Sequence, residues 1–583
     1  DLHSFPTRRS SDLQLVMIEP NKHIIQPILT GKDFSEQFPR KSFAGNKPNV
    51  LLILDGWGIG PNNAGNAISQ ARTPNLDLFW LSFPHCQLAA AGEAVGLPRG
   101  EDGNSETGHV NIGAGNIVYQ DLPRVNMSIR DGSFERNQAF ARAFEHVKQN
   151  SSALHIMGLA GNGGVHANLE HMLKLVEMAA KQNIPQVYLH LFTDGRDSPP
   201  YNSPDVIRRV QEKCQQVGVG EIVSVMGRFY AMDRDLRWER IEKAYDCLTS
   251  GLGERGQDPI TVVKAQHEKG STDEFIVPTN IVNAQGQVVT INDNDAVIFT
   301  NYRIDRPREL TRAFTKADFS SSQAQVLDFD PYMEKYAKNN LHQSRSTTTF
   351  NRKRTLQNLF FVTMTRYEDG LPVIEAFPPQ PVKLPLCKIF AEHGLKQLRA
   401  TETEKERFVT YYMNGQKEFI FPGEDRVILP SKGEKSYDLV PEMSAREITY
   451  EVVQRINNAD YDTIIVNLPN GDMVGHTGNL EAGIKACEVV DECVGGIARA
   501  VYQKGGNLII TADHGNVEEM IDMNTGAMDT EHSIYPVPFI VVSPRFFNQS
   551  RSLPNGVLAD VAPTMLSLMG LPQPAQMTGR NLL

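Results

Sequence analysis

The sequence predicts an α/β protein, and three observations support this class. Short runs of β-branched apolar residues recur along the chain, polar or glycine-rich residues follow each run, and segments with helical periodicity lie between the runs. This alternation is typical of parallel sheets joined by crossover helices. Because 583 residues exceed what one hydrophobic core usually supports, we expect at least two domains.

The apolar runs are the predicted strands, and the predicted helices fill the intervals between them. The clearest helix spans residues 480–501, where apolar residues recur at spacings of three and four, so Cys487 and Cys493 are expected in the core. The predicted strands span residues 49–54, 154–157, 187–192, 222–226, 296–300, 360–364, 463–467, 507–511 and 538–542.

Charge and composition argue against several classes of protein. The formal net charge of −11 at pH 7 argues against a nucleic-acid partner, because nucleic-acid-binding domains usually carry a dominant basic face. No apolar run approaches the length that spans a membrane. The six cysteines form no C-x-x-C pair, which fits neither a disulfide framework nor a zinc ribbon. We therefore expect a cytoplasmic protein, and we further expect it to be a monomer that acts on a small-molecule substrate.

Two stretches of the chain do not follow the strand rhythm. Residues 1–13 combine arginines and serines without the apolar core of a targeting peptide, and they resemble translated sequencing adapter, with a transit peptide as the alternative. We expect residues 1–45 to form an extension that is in part non-native or disordered. Residues 316–354 are rich in serine, threonine and lysine, and we expect a surface insertion or linker there.

Polar side chains follow the predicted strands, at the edge where open α/β sheets bind their ligands. Asp55, Asp472 and the pair Asp513-His514 follow the first strand and the later strands, whereas arginines follow the middle strands. This division predicts two sheets with different roles. One sheet should bind metals and the other anions.

The candidate metal ligands are carboxylates and imidazoles. Asp472 and His476 are four residues apart and face one point if the segment is helical, although Asp472 could instead cap a helix and leave His476 on the surface. Adjacent Asp513 and His514 cannot both point into a core, and exposed loop residues are the alternative. His532 precedes another strand. Three imidazoles with several carboxylates favour a divalent transition metal such as manganese or zinc.

Ser105 is the candidate nucleophile. It lies in the loop of residues 103–109 (GNSETGH), whose glycines permit tight turns and close approach of a substrate. The serine could simply cap the following helix. Beside a metal, however, a serine hydroxyl is an activated nucleophile that needs no histidine partner. The residue type and its position leave both interpretations open.

Five arginines follow the middle strands. The planar guanidinium binds carboxylate and phosphate oxygens in a bidentate manner, which suits a small substrate that carries both groups. Alternatively, each arginine is a solvated loop residue that pairs with a neighbouring aspartate. The five are Arg196, Arg228, Arg234, Arg303 and Arg306.

Several motifs together resemble the cofactor-independent phosphoglycerate mutases of the alkaline phosphatase superfamily, and they occur in the order of that family. The resemblance covers the chain from Asn49 to the C-terminus. The motifs lie at residues 54–58 (LDGWG), 103–115 (beginning GNS), 163–166 (GGVH), 193–197 (TDGRD), 227–240 (GRFYAMDRDLRWER), 301–306 (NYRIDR), 472–478 (DMVGHTG) and 511–516 (TADHGN).

The resemblance implies an alkaline-phosphatase-like phosphatase domain, formed by residues 46–120 and 380–583, with an α/β transferase domain of residues 121–379 inserted in it. It also implies interconversion of 3-phosphoglycerate and 2-phosphoglycerate through a phosphorylated Ser105. Two Mn²⁺ ions are implied as cofactors, and 2,3-bisphosphoglycerate is not required.

The resemblance further implies a role for each candidate residue. The ligands of one manganese are Asp472, His476 and His532, and those of the other are Asp55, Ser105, Asp513 and His514. The substrate-binding residues are His166, Arg196, Asp197, Arg228 and Arg234 for the glycerate, Arg303 and Arg306 for the phosphate, and Lys405 at the phosphoryl group between the domains. Asp197 is our candidate proton shuttle.

Two alternative functions remain to be considered. One is a metal-dependent phosphatase, sulfatase or phosphopentomutase that shares the metal core, against which the inserted arginine set argues. The other is a catalytically silent phosphoglycerate-binding protein, which we expect to have lost Ser105 or one metal ligand. The sequence retains all of them.

Overall fold

The computed structural model describes residues 47–319, 349–432, 435–547 and 549–583. The predicted N-terminal extension, residues 1–45, lies outside the described residues. So does most of the predicted insertion at residues 316–354.

The described chain forms two eight-stranded sheets. In chain order the strands are β1 (Asn49–Leu54), β2 (His85–Ala89), β3 (Leu154–Ala160), β4 (Val187–Thr193), β5 (Glu221–Gly227), β6 (Glu254–Gly256), β7 (Thr279–Ile281), β8 (Ala296–Phe299), β9 (Phe360–Thr363), β10 (Ile374–Glu375), β11 (Gln397–Glu402), β12 (Glu424–Leu429), β13 (Thr463–Leu468), β14 (Asn507–Thr511), β15 (Val537–Val542) and β16 (Gly556–Val557).

Helices connect most of the strands. The α-helices are α1 (Ala67–Gln70), α2 (Pro74–Ser82), α3 (Ser105–Ala114), α4 (Asp121–Arg130), α5 (Gln138–Asn150), α6 (Leu169–Lys181), α7 (Ser203–Val217), α8 (Arg228–Ala231), α9 (Trp238–Ser250), α10 (Pro259–Glu268), α11 (Arg308–Thr315), α12 (Leu386–Glu392), α13 (Ala445–Asn458), α14 (Asn470–Gly475), α15 (Leu480–Gln503) and α16 (Val561–Met569). A short π-helix spans Phe408–Tyr412.

The first sheet has the strand order β12-β11-β13-β1-β14-β15-β2-β16. Its strands β12, β11, β13, β1 and β14 are parallel, so their carboxyl ends share one edge. Strand β15 runs antiparallel to β14, which brings the amino end of β15 to that same edge. Residues far apart in the sequence therefore converge at this edge.

The second sheet has the strand order β10-β9-β8-β3-β4-β5-β7-β6 and is inserted in the first. The chain leaves the first sheet after β2, forms all of the second sheet, and returns to the first at β11. The central strands β8, β3, β4 and β5 are parallel neighbours. The predicted α/β class, with one α/β sheet inserted in another, is confirmed.

All nine predicted strands are present, but β11, β12 and several shorter strands were not predicted. Strand β11 has the sequence QLRATE and is buried throughout despite its polar side chains. Its Arg399 donates to Gln397 Oε1 at 2.7 Å and lies 3.9 Å from Glu424 Oε2, which compensates the buried charge. Apolar periodicity cannot detect a strand whose burial depends on such pairing.

The predicted helix at residues 480–501 is confirmed as α15, the longest helix among the described residues. It packs its apolar side against the first sheet, and Cys487 and Cys493 are buried there as predicted. All six cysteines are buried and free. Within the described ranges, no helix combines the length and the apolar character needed to cross a membrane.

His171 on α6 makes the stability of the inserted sheet depend on pH. The imidazole is fully buried, packs against Phe134 and Tyr302, and has Nε2 2.8 Å from Asn126 Oδ1. Burial lowers its pKa to about 3. A histidine of the unfolded chain titrates near ~6.5, so acidification below that value favours the unfolded state.

We expect His171→Gln to lose this pH dependence. Between pH 7 and pH 5 the free energy of unfolding of the wild type should fall relative to that of the variant by about 2 kcal/mol, because only the wild type gains a proton on unfolding. Urea unfolding of both proteins at the two pH values measures this difference. If the free energies of unfolding of the wild type and the variant differ by the same amount at both pH values, His171 is not held neutral in the folded protein.

Candidate active site

Ser105 is the first residue of α3, which begins at the shared edge of the first sheet. The side chain of Asn104 caps this helix by accepting from the backbone N–H of Thr107 at 3.0 Å. The alternative that Ser105 itself caps the helix is therefore wrong. Its buried hydroxyl instead lies 2.7 Å from Lys405 Nζ and 2.9 Å from His514 Nε2.

Lys405 joins the side chains at the centre of the site. Its buried ammonium donates to Asp55 Oδ1, Asp472 Oδ2 and Ser105 Oγ, each at 2.7 Å. Burial alone lowers the pKa of Lys405, but Asp472 and Asp55 outweigh this and raise it above its usual value. Lys405 is thus a fixed positive charge beside the Ser105 hydroxyl.

Asp55 directly follows β1, and the backbone around it requires glycine. Gly56 has φ +73°, and a Cβ on it would lie 2.5 Å from the backbone nitrogen of Asp472. Asp472 lies in α14, which has no side-chain cap, so the alternative that Asp472 caps a helix is wrong as well. The close approach of these two turns places Asp55 and Asp472 on either side of Lys405.

Three imidazoles present the same nitrogen to the site. In each ring, Nδ1 lies near a backbone carbonyl oxygen. His476 Nδ1 lies 2.7 Å from Thr530 O, and His514 Nδ1 lies 3.1 Å from Gly515 O. His532 Nδ1 lies 2.8 Å from Gly103 O. A carbonyl oxygen only accepts, so Nδ1 carries the proton. In the neutral ring, Nε2 then has a lone pair for a metal.

The Nε2 atoms surround the carboxylate of Asp472. His532 Nε2 and His476 Nε2 lie 3.0 Å and 3.2 Å from Asp472 Oδ1, and 3.1 Å from each other. Burial lowers the pKa of His514, but Asp513, Asp55 and Asp472 outweigh it and raise the pKa to about 10. The carboxylates therefore make this edge favour positive charge.

The donor set fits a divalent transition metal. Ligand atoms within 4.8 Å of one another form two groups, Asp472 with His514 and His532, and Asp55 with Asp513 and His514. The buried Asp513 Oδ2 receives no hydrogen bond from the described residues. Mixed imidazole and carboxylate donors suit manganese, zinc and related ions.

These groups differ from the predicted ligand sets in two respects. His514 belongs to both groups because its Nε2 lies between Asp55 Oδ1, at 3.5 Å, and Asp472 Oδ1, at 3.8 Å. His476 belongs to neither group, although its Nε2 contacts Asp472.

A second set of polar side chains lies at the carboxyl ends of β3, β4, β5 and β8. Arg228 is buried and donates through Nη1 to Asp194 Oδ1 at 2.6 Å and to Asp197 Oδ2 at 2.5 Å. His166 Nε2 lies 3.8 Å from the same oxygen of Asp197. Asp197, whose side chain is one-fifth exposed, is thus held by a buried cation and an imidazole.

Asp305 organises the other half of this set. Its carboxylate accepts from Arg234 Nη1 at 2.8 Å and lies 3.2 Å from Arg303 Nε and 3.5 Å from His166 Nδ1. Burial lowers the pKa of His166 to about 3, although Asp305 opposes this shift. His166 is therefore neutral among the arginines.

Arg306 is partly buried close to other arginines. Burial and the repulsion from Arg228 and Arg234 lower the pKa of Arg306 to about 10, although Asp305 opposes this. Arg306 donates through Nη1 to Met232 O at 3.0 Å, and its Nε has no hydrogen-bond partner among the described residues. Arg196 is more exposed and lies 3.6 Å from Glu274 Oε1. The set is suited to an anion.

Comparison with known proteins identifies the family of the chain. Residues 125–369 match the family described as BPG-independent PGAM N-terminus (iPGM_N). Over 540 residues, the chain is 47% identical to the 2,3-bisphosphoglycerate-independent phosphoglycerate mutase of Chloroflexus aggregans, covering 92% of this chain and 98% of that protein. The chain belongs to the 2,3-bisphosphoglycerate-independent phosphoglycerate mutases.

The alignments with two further relatives cover the residues of both sheets. The 2,3-bisphosphoglycerate-independent phosphoglycerate mutase of Moorella thermoacetica is 44% identical over 542 residues, which cover 93% of this chain and 99% of that protein. The structure also matches a crystal structure of Leishmania mexicana phosphoglycerate mutase with a TM-score of 0.52 and a sequence identity of 27%. The match covers 94% of this chain and 99% of that chain.

Sequence reasoning about the mutase missed residues that position the candidate site. Asp305 and Asp194 are two of the neighbouring aspartates with which solvated loop arginines would pair, yet both are buried. Asp194 also accepts from the backbone nitrogens of Arg196 and Asp197. The available signal was the position of these aspartates beside arginines directly after predicted strands.

Proposed function

We propose that this mutase moves the phosphoryl group between the 3- and 2-hydroxyls of glycerate through a phosphoserine at Ser105. The observation that carries the proposal is the environment of the Ser105 hydroxyl, which contacts Lys405 Nζ and His514 Nε2 at the start of α3. A helix N-terminus and an ammonium group both stabilise negative charge on a serine oxygen and on an attached phosphoryl group.

The proposed cofactors are two Mn²⁺ ions bound at the edge of the first sheet. We assign Asp472, His476 and His532 to one ion and Asp55, Ser105, Asp513 and His514 to the other. Divalent ions bound there would favour ionisation of the Ser105 hydroxyl and offset charge on the phosphoryl oxygens. The Nδ1 contacts of the three histidines support this assignment, because they leave Nε2 free to coordinate.

The proposed substrate site is the arginine set of the second sheet. His166, Arg196, Asp197, Arg228 and Arg234 are assigned to the glycerate, and Arg303 and Arg306 to the phosphate. The partial burial of Arg306 close to Arg228 and Arg234, which repel its guanidinium, supports an anionic ligand. Asp197 is the proposed proton shuttle between the two hydroxyls, since Arg228 and His166 hold its carboxylate at the accessible end of β4.

The proposed domains follow the two sheets. Residues 46–120 and 380–583 would form the metal-binding domain, and residues 121–379 the substrate domain; the sheet membership of the strands supports this division. Closure of one domain on the other would retain glycerate while the phosphoryl group is on Ser105. We further propose a monomer in the cytoplasm, where free thiols such as the six buried cysteines persist.

Metal removal tests the proposed cofactors. Dialysis against EDTA should lower kcat by about 10³-fold or more, because the site loses the cations that stabilise the ionised serine. Manganese should restore the rate, whereas 2,3-bisphosphoglycerate should not. EDTA already saturated with manganese is the control for effects of the chelator itself. Full activity of a protein shown by elemental analysis to be metal-free would contradict the proposal.

A further inference from the structure

We infer that Asn467 and His109 are positioning residues that fix the carboxylates of Asp55 and Asp513 and thereby set the affinity of the site for metal. This inference rests on the proposed metal site. Neither residue belongs to the proposed substrate-binding residues or to the proposed ligand set. Both are completely buried.

Asn467 lies on β13 and directs its amide nitrogen to two acceptors. Its Nδ2 donates to Asp55 Oδ2 at 2.6 Å and lies 3.1 Å from His109 Nε2. The opposite end of the amide, Oδ1, accepts from the hydroxyl of Thr401 at 3.4 Å. The carboxylate fixes the orientation of the amide, because a carboxylate accepts and the reversed amide would place two oxygens together.

This orientation determines the tautomer of His109. An amide nitrogen can only donate, so His109 Nε2 must accept and carries no proton. The proton of the neutral ring is therefore on Nδ1. His109 Nδ1 lies 2.9 Å from the backbone oxygen of Ser105 and 3.2 Å from Asp513 Oδ2.

The contact with Asp513 matters because this carboxylate has few other partners. Its Oδ1 accepts from the backbone nitrogens of Gly56 and His514, at 3.3 Å and 3.1 Å. Two nitrogens lie near Oδ2, namely His109 Nδ1 at 3.2 Å and His514 Nε2 at 3.4 Å. His514 is itself a proposed ligand, so His109 is the residue outside the ligand set whose nitrogen lies against this oxygen. The contact limits the room in which the carboxylate can rotate, although the Nδ1 proton is directed to the Ser105 backbone oxygen and Oδ2 receives no hydrogen bond from the described residues.

The two residues form a bridge across four neighbouring strands. Thr401 lies on β11 and Asn467 on β13, whereas Asp55 and Asp513 follow β1 and β14. His109 completes the bridge from α3, where it packs at 5.5 Å from the ring of Phe408. The bridge thus connects the backbone at Ser105 with the carboxylates of Asp55 and Asp513, both of which belong to one proposed metal site.

Such outer partners fix the position and the basicity of a ligand without touching the metal. Asp55 turns Oδ2 to Asn467, which leaves Oδ1 toward Lys405 and Ser105. Without the amide, the carboxylate of Asp55 is free to rotate and to form a second contact with Lys405. We therefore expect weaker metal binding even though every proposed ligand remains.

The test is the dissociation constant of Mn²⁺, measured by titration calorimetry on the metal-free protein. Asn467→Leu removes both N–H donors of the amide at similar side-chain volume. His109→Phe keeps an aromatic ring at this position but removes both ring nitrogens. Each should weaken manganese binding by about 10- to 100-fold. His109→Asn, which retains a donor near the position of Nδ1, should bind manganese more tightly than His109→Phe.

Matched controls separate this effect from general loss of buried polar groups. Asn507→Leu removes a buried amide at the other end of the same sheet, where it donates to Asn49 Oδ1 at 2.8 Å, and His171→Phe removes a buried imidazole of the second sheet. Both controls should bind manganese as the wild type does. Should Asn467→Leu fail to fold, Asn467→Ser provides the same comparison.

The outcomes separate this inference from the proposed function. Wild-type affinity in folded Asn467 and His109 variants, or equal loss in the controls, would overturn the positioning role. A wild type that binds no manganese would instead overturn the proposed metal site. Loss of kcat at saturating metal with unchanged affinity would also contradict the inference, because it would place the effect in the reaction rather than in metal binding.

Discussion

Ser105→Ala should abolish mutase activity, with kcat lower by about 10⁴-fold or more, because the variant lacks the proposed nucleophile. Alanine fits the start of α3, and Asn104 rather than Ser105 caps this helix, so the fold should be retained. The measurement is the rate of 2-phosphoglycerate formation, coupled to enolase, together with the thermal unfolding midpoint.

The matched control is Ser128→Ala. Ser128 is also buried in a helix, but its hydroxyl donates only to the backbone oxygen of Val125 among the described residues. This variant should retain wild-type activity. Mass spectrometry of wild-type protein quenched during turnover should find one phosphoryl group on the peptide that contains Ser105. Activity of Ser105→Ala within tenfold of the wild type would mean that the phosphoryl group does not pass through this residue.

Lys405→Met should lower both activity and the stability of the metal-free protein. The buried carboxylates of Asp55 and Asp472 would lose the cation that neutralises them, and breaking a buried ion pair costs about 3–5 kcal/mol. Added manganese should reduce this loss of stability, because a divalent ion neutralises the same carboxylates. The rate should nevertheless remain about 10²-fold or more below that of the wild type, since the ammonium also lies beside the Ser105 hydroxyl.

Urea unfolding with EDTA and with manganese measures the two contributions separately. Lys417→Met is the control, because the ammonium of Lys417 donates to the backbone oxygen of Val382 at 2.9 Å and lies outside the site. If Lys405→Met is as stable as the wild type in EDTA, Lys405 does not neutralise the buried carboxylates.

The fold could be predicted where burial is purely apolar. Strands β1, β13 and β14 consist mainly of isoleucine, leucine and valine, so the sequence pattern identifies them and the polar residues that follow. Strand β11 was missed because Gln397, Arg399 and Glu402 occupy buried positions in it. Only the tertiary structure shows which polar groups pair with one another.

The candidate site was predictable in part for the same reason. Asp55 and Asp513 follow recognisable strands, whereas Lys405 follows the unrecognised β11 and was identified only through the resemblance to the family. His109 and Asn467 gave no signal, because a buried histidine on a helix and an asparagine within a strand have no distinctive spacing. Their contacts depend on the strand order, which places β13 and β1 side by side.

The measurement that tests the account most directly is phosphorus NMR of the purified protein incubated with 3-phosphoglycerate and manganese, without 2,3-bisphosphoglycerate. We expect 2-phosphoglycerate to appear until equilibrium is reached, with no accumulation of inorganic phosphate and no reaction in EDTA. A requirement for added 2,3-bisphosphoglycerate, or steady release of inorganic phosphate in place of 2-phosphoglycerate, would contradict the account.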